Sequence, residues 1–92
     1  MAVNVHTALA LVRSRLNRLP GDTSLDDQLT ARIMAAAKRI ERRGIRLDDS
    51  IADTLLVVDL AVWMYQCRDQ QTGEPDWLRL QLRERWLQQH DP

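Results

Sequence analysis

The amino-acid sequence predicts an all-α fold, a compact bundle of about four helices with an apolar third helix at its centre. Three observations carry that expectation. Phe is absent and Ala, Leu, Arg and Gln together supply 42 of the 92 residues, which favours helices over strands. Apolar residues recur three and four apart through four separate stretches, the spacing of a helix face. Between those stretches fall "PG" at Pro20–Gly21, Gly44, and "GEP" at Gly73–Pro75, where the chain is expected to turn.

The first helix is expected from about Val5 to Leu19. Val5, Leu9, Val12, Leu16 and Leu19 follow a 4-3-4-3 spacing and make one stripe, with Arg13, Arg15 and Arg18 off it. "PGD" at Pro20–Asp22 stops the helix and turns the chain. The second helix is expected from near Ser24. Ser24 and Asp27 have the spacing of a capping box, with Asp as a short partner. Leu29, Ile33, Ala36 and Ile40 form its inner face, and Gly44 is its C-terminal cap. Asp26 and Asp27 at one end and Arg42 and Arg43 at the other complement the helix dipole. Ile45 and Leu47 of the following linker are expected to tuck against the bundle.

The third helix carries the fold. Ser50 is its expected N-cap, with Asp53 three residues on. At 100° per residue, Ile51, Leu55, Val58, Val62 and Tyr65 share one face. Leu56, Leu60, Trp63 and Cys67 share a second. Ala52, Asp59 and Gln66 recur every seven residues between the two, so Asp59 lies on a narrow wet stripe rather than in the core. A helix apolar nearly all round belongs at the centre of its domain, or between its domain and another subunit. The fourth helix follows "QQTGEP", with Pro75 expected at its first position, and runs to about Gln89. Leu78, Leu82 and Trp86 make one face, whereas Leu80 and Leu87 lie nearly opposite and Trp77 projects elsewhere. One helix cannot bury both sides within 92 residues. Trp77, Arg79, Leu80, Arg83, Trp86 and Leu87 are therefore a candidate contact surface, Trp and Arg being favoured at interfaces. The bland alternative is scattered exposure of single apolar side chains.

A chain of 92 residues fits one domain spanning residues 1–92. A domain of this size buries about 60–65% of its unfolded surface, enough for one modest core. The single cysteine excludes an internal disulfide and a Cys-based zinc site. The N-terminal "MAVNVHTALALVRSR" lacks the basic start of a signal peptide. A membrane span needs about 20 apolar residues, and Asp59 interrupts the best candidate, so no membrane partner is expected.

Net charge is zero but lopsided. Residues 1–46 carry nine Lys/Arg and four Asp/Glu, a net +5; residues 47–92 carry four and nine, a net −5. Such asymmetry points either to an electrostatic partner or to two halves facing each other inside one bundle. Lys38, Arg39, Arg42, Arg43 and Arg46 are the densest basic group and a candidate contact for a second subunit or for nucleic acid. A net charge of zero argues against a dedicated DNA-binding domain, and the connection from Gly44 to Asp49 does not match a helix-turn-helix. Catalytic constellations are not found. His6 and His90 lie at opposite ends, Cys67 sits on an apolar face as a small hydrophobe, and the three glycines form no phosphate loop. Asp48 and Asp49 read as dipole-complementing charge before Ser50 rather than as an acid/base pair. The expectation is a non-enzymatic protein without cofactor or metal.

The order of these features resembles a known family. "SLDDQLTARIMAAAKRIERRGI" is similar to the D-x-x-L…I-x-x-A…I segment of small phage head–tail connector proteins, also called head-completion or adaptor proteins. "LDDSIADTLLVVDLAVWMYQCRD" and "PDWLRLQLRERW" resemble their later pattern: a polar helix start, an apolar helix ending near Tyr and Arg-Asp, a short loop, then Pro and a Leu/Arg helix. "WMYQCRD" with "PDWL" is the most specific part, and the resemblance spans about Ser24 to Trp86. Residues 1–19 depart from it, being a basic amphipathic helix where the family often opens with a shorter, more acidic segment.

The resemblance implies a structural virion protein located at the head–tail junction, and in the host cytoplasm before assembly. Its copies would form a homo-oligomeric ring, about twelve-fold, beneath the portal. Its partners would be the portal protein and tail or stopper proteins, with non-specific DNA contact in the channel. Trp77, Arg79, Leu80, Arg83, Trp86 and Leu87 are then the portal or neighbour contact. Lys38, Arg39, Arg42, Arg43 and Arg46 are the contact for a neighbour's acidic third-helix start or for channel DNA. The second reading is a small helical nucleic-acid-binding or regulatory protein that uses the arginines of its first two helices.

Overall fold

A computed structural model describes residues 3–17, 23–68 and 73–90. It has four helices and, among the described residues, no strand: α1 (Val5–Arg15), α2 (Asp26–Arg42), α3 (Ile51–Gln66) and α4 (Asp76–His90). The molecule measures 46 × 29 × 18 Å, so its thin dimension holds two helix layers. Packing is closest between α2 and α3, then between α3 and α1 and between α1 and α2, while α4 rests mainly on α3. The expected central third helix is thus observed, because α3 meets each of the other three.

α1 begins where the sequence places it. Asn4 caps it, its Oδ1 accepting the Thr7 N–H at 3.2 Å. It ends at Arg15 rather than near Leu19, because Asn17 adopts a left-handed φ of 58° that stops the helix. Asn tolerates that conformation better than most residues. The expected turn at Pro20–Asp22, and Arg18 and Leu19 with it, lie outside the described residues. Ala8 and Val12 are buried, with Leu9, Leu11 and Leu16 packed beside them.

α2 starts at Asp26, with Leu25 at the N-cap and no side-chain cap bond there. Leu25, not Ser24, is thus the residue that opens the helix. Asp26 turns to α1, accepting from Arg13 Nε at 2.9 Å and from the other arm of the same guanidinium. That ion pair reaches across two helices, which a local cap bond does not. Leu29, Ile33, Ala36 and Ile40 are buried as the spacing predicts, and Ala37 joins them. Gly44 ends the helix with a φ of +89°, its N–H donating to the Glu41 carbonyl at 2.9 Å. Its left-handed backbone suits glycine. A Cβ there would also stand 3.2 Å from Trp86 Nε1. Ile45 is buried and Leu47 half-buried, as expected.

α3 is capped by Ser50, whose hydroxyl oxygen accepts the Asp53 N–H at 3.2 Å. Leu56, Val57, Val58, Leu60, Ala61 and Val62 are all buried. Both apolar faces are in use over its second half. Over its first half one face is bare: Ile51 is 70% exposed and Leu55 39%. Ala52 and Gln66 are exposed and Asp59 half-buried, so the expected wet stripe is present, and Arg15 of α1 reaches Asp59 there. Asp53, not Asp59, is the buried charge of this helix.

α4 starts at Asp76, one residue after Pro75. The Pro75 carbonyl accepts from the Leu78 and Arg79 N–H groups, each at 3.1 Å, so Pro75 precedes the first helical residue instead of occupying it. No helix among the described residues is long and apolar enough to cross a membrane.

Candidate functional site

α4 joins the other helices through few apolar contacts and several polar ones. Leu78 and Leu82 are its only buried residues. One turn further, Arg85 anchors the helix to α3. Its Nε donates to Asp53 Oδ1 at 2.8 Å and its Nη2 to Asp53 Oδ2 at 3.0 Å. This is the forked geometry that makes an Arg–carboxylate pair directional. Asp53 is 1% exposed, and its Oδ2 also accepts the Asp48 N–H at 2.9 Å. A buried carboxylate needs such partners to offset its lost hydration. The hydrogen bond from Arg85 to Asp53 in turn raises the Arg85 pKa above its ordinary value.

Asp48 belongs to the same cluster. Its Oδ1 accepts the Ser50 N–H at 2.9 Å, and Arg85 Nη2 lies 3.5 Å from its other oxygen. Hydrogen bonds from Ser50, side chain first and backbone second, hold the Asp48 carboxyl below its ordinary value, with smaller help from Asp53 and the Arg85 charge. The expected role of Asp48 as charge at a helix start is therefore joined by a second one, holding α4.

The far end of α4 grips the linker. The Gln89 amide accepts the Arg46 N–H at 2.8 Å and donates to the Arg46 carbonyl at 2.6 Å. His90 Nε2 lies 2.8 Å from the Gly44 carbonyl, and its ring stacks on Trp86 with centroids 4.2 Å apart. Just before the start of α4, Glu74 is buried and meets Arg43 through Oε1. Its Oε2 lies 3.3 Å from Arg39 Nη2. That is close enough for charge attraction but lacks hydrogen-bond geometry, so this oxygen has no hydrogen-bond partner among the described residues.

These contacts divide the sequence-predicted basic group. Arg39 and Arg43 are committed to Glu74, and Arg39 also lies over the Trp63 ring at 5.9 Å. Lys38 and Arg42 are exposed on the outer side of α2, without an ion-pair partner among the described residues. Arg46 is exposed, its backbone held by Gln89. The charge asymmetry is thus partly internal, because Arg15–Asp59 and Arg39/Arg43–Glu74 join the basic half to the acidic half.

The predicted contact residues of the fourth helix are brought out on its surface. Leu80 is 63% exposed, Trp77 50%, Leu87 45% and Trp86 39%. Arg79 is exposed and pairs with Asp76 on its own helix. Arg83 is exposed with no ion-pair partner among the described residues. Around the helix, Leu80 and Leu87 mark the centre of the outward side, with Trp77 and Trp86 on opposite flanks. Trp86 is the one residue of the expected inner face that stays substantially exposed. It leans over Gly44 and forms one wall of a cleft of about 260 Å³. A groove of about 290 Å³ runs on the other side of α4, between Leu55 and Asp59 of α3 and Gln81, Glu84 and Gln88 of α4.

Sequence reasoning missed Asp53, Arg85, Glu74 and Gln89 as the anchors of α4. Asp53 and Arg85 lie 32 residues apart, and Glu74 sits in a stretch that reads as loop. Asp53, Arg85 and Glu74 were marked only by their charge, without periodicity, and Gln89 by nothing. No group of three or more His, Cys, Asp or Glu among the described residues is placed to hold a metal ion. Compared with known proteins, the chain matches no family model, no curated protein and no solved structure.

Proposed function

We propose that this chain is a head–tail connector (head-completion) protein of a tailed phage or prophage. It would be a structural subunit of a ring below the portal, linking the DNA-filled head to the tail. Support comes first from the resemblance of Ser24 to Trp86 to that family. The single observation that carries the reading is the outward side of α4. Trp77, Leu80 and Leu87 gather there in the open while Leu78, Leu82 and Arg85 already hold the helix in place. Burying such a side against a partner stabilises a complex in proportion to the apolar area covered, about 25 cal/mol per Å².

The mechanism is assembly, not catalysis. Portal and tail or stopper proteins are the partners of the α4 surface, and further copies of the chain complete a ring of about twelve. Lys38, Arg42 and Arg46 remain available for a neighbour or for DNA in the channel. The protein would work at the head–tail junction of the virion and pass through the host cytoplasm before assembly. The outward Lys38 and Arg42 also favour a second reading, a small nucleic-acid-binding or regulatory protein.

Co-sedimentation with the portal ring encoded in the same genome, with duplex DNA run alongside at low and moderate salt, separates the two. Saturable binding at about one copy per portal subunit supports the connector. No portal binding, together with tight DNA binding that falls steeply with salt, contradicts it and supports the regulator.

A further inference from the structure

Two features of this chain, one beside α4 and one at the start of α3, pair apolar surface with opposite free charges. One is the cleft of about 260 Å³. Buried Ile45, Leu82 and Glu74 lie at its base, Trp86 makes a wall, and Arg43, Arg79 and Arg83 line its rim. Arg43 is taken by Glu74 and Arg79 by Asp76, which leaves Arg83 as the rim's uncompensated charge among the described residues. The cleft is therefore a largely apolar socket whose one carboxylate, Glu74, is held by Arg43, with one free cation at its mouth.

The other feature is the start of α3. Ile51, at 70%, is the most exposed large apolar side chain among the described residues, and Leu55 one turn later is also bare. Asp49, two residues before Ile51, is exposed and has no ion-pair partner among the described residues. Its neighbour Asp48 is occupied by Ser50 and Arg85. This is an apolar knob with one free anion beside it.

The two cannot meet within one chain. At 100° per residue, Leu82, Arg83 and Trp86 lie on the side of α4 roughly opposite Gln81, Glu84 and Gln88. The latter three share a groove with Leu55. Socket and knob thus open in different directions on one molecule.

We propose that the socket of one copy receives Ile51 of a second copy, with the second copy's Asp49 meeting Arg83. The complementary charges and the bare apolar group identify the occupant. Each lies on this chain, and each lacks a partner within it among the described residues. A contact between two different patches is heterologous, so every copy keeps one free socket and one free knob, and the contact propagates into a ring or a filament. For closure into a ring it rests on the connector reading, whose neighbour contact it specifies.

The test is sedimentation velocity of the full chain over rising concentration, at low and moderate salt, with portal binding read separately on the same samples. Self-association is expected, weakened by salt because a charge pair contributes. Asp49→Arg and Arg83→Glu are each expected to weaken it by roughly tenfold or more, and Ile51→Ser by a similar factor. An equimolar mixture of the Asp49→Arg and Arg83→Glu proteins is expected to associate again, because the introduced charges complement each other across the contact. All three positions are exposed, and thermal melts of the variants check that each still folds. A chain that stays monomeric at the highest concentration, association indifferent to these substitutions, or a mixture that fails to recover would overturn the proposal. So would substitutions that abolish portal binding while self-association persists, since another protein would then fill the socket. Self-association with the expected variant pattern but without portal binding leaves this contact standing and removes the connector reading.

Discussion

α3 and α4 are nearly equal in length, 16 and 15 residues, yet they are held by different forces. α3 buries eight residues, six of them Leu, Val or Ala, and meets every other helix. α4 buries two leucines and is otherwise fixed by Arg85–Asp53, Gln89–Arg46, His90–Gly44 and the nearby Glu74 cluster. Apolar burial is non-directional and strengthens with area. Forked ion pairs and amide clasps are directional and consume little surface. The lesson is that a helix pinned by polar contacts along one edge can leave its apolar side chains outside. α4 does so, and α3 does so only at Ile51 and Leu55.

The sharpest way to break this comparison is to attack each helix by its own force. Leu60→Ala in the centre of α3 is expected to cost about 4 kcal/mol, within the usual range for a buried leucine. Denaturant unfolding should then show cooperative loss of all four helices. Arg85→Ala should cost about 3 kcal/mol, because Asp53 is left charged and buried without its main partner. Its signature differs, since α4 should loosen first, read as faster amide exchange in residues 76–90 than in α3. A uniform loss of protection would show that α4 is held by the core after all.

Smaller effects sharpen the picture. Gly44→Ala is expected to cost about 1–2 kcal/mol for the left-handed backbone alone, and the new methyl also presses on Trp86. Trp fluorescence alongside the melt separates these two causes. Leu80→Gln with Leu87→Gln should change stability by no more than about 0.5 kcal/mol each, while reducing portal binding. Last, an NMR titration should place the Asp48 midpoint below its ordinary value of 3.8. A lowered folded-state value means that the stability it contributes is present above the unfolded-state value and is lost as pH falls through the folded one. A midpoint at or above the ordinary value would show that the Ser50 and Arg85 contacts do not persist in solution.

Much of the bundle was legible because periodicity is local. Leu29, Ile33, Ala36 and Ile40 announce one face of α2, and the Ser50 cap and the left-handed Gly44 are written in residue type. The heptad of Ala52, Asp59 and Gln66 correctly kept Asp59 from the core. Pairing over longer range was not legible in the same way. Asp26 at a helix start and Asp53 beside its cap read as local features, and the fold brings Arg13 to the one and Arg85 to the other from 13 and 32 residues away. In the candidate site, the exposure of Trp77, Leu80 and Leu87 followed from there being too little protein to cover them. That Arg39 and Arg43 were spoken for by Glu74 did not, since that pairing depends on where the fold brings residue 74.

The most direct measurement is amide hydrogen exchange on the free chain and on the chain mixed with the portal ring proposed as its partner. The account predicts that α4 exchanges through smaller openings than α3 when free, and that protection rises most at Trp77 to Leu87 on binding. Equal protection of the two helices when free, with no change in α4 on adding the ring, would contradict both the polar tethering of α4 and its role as the docking surface.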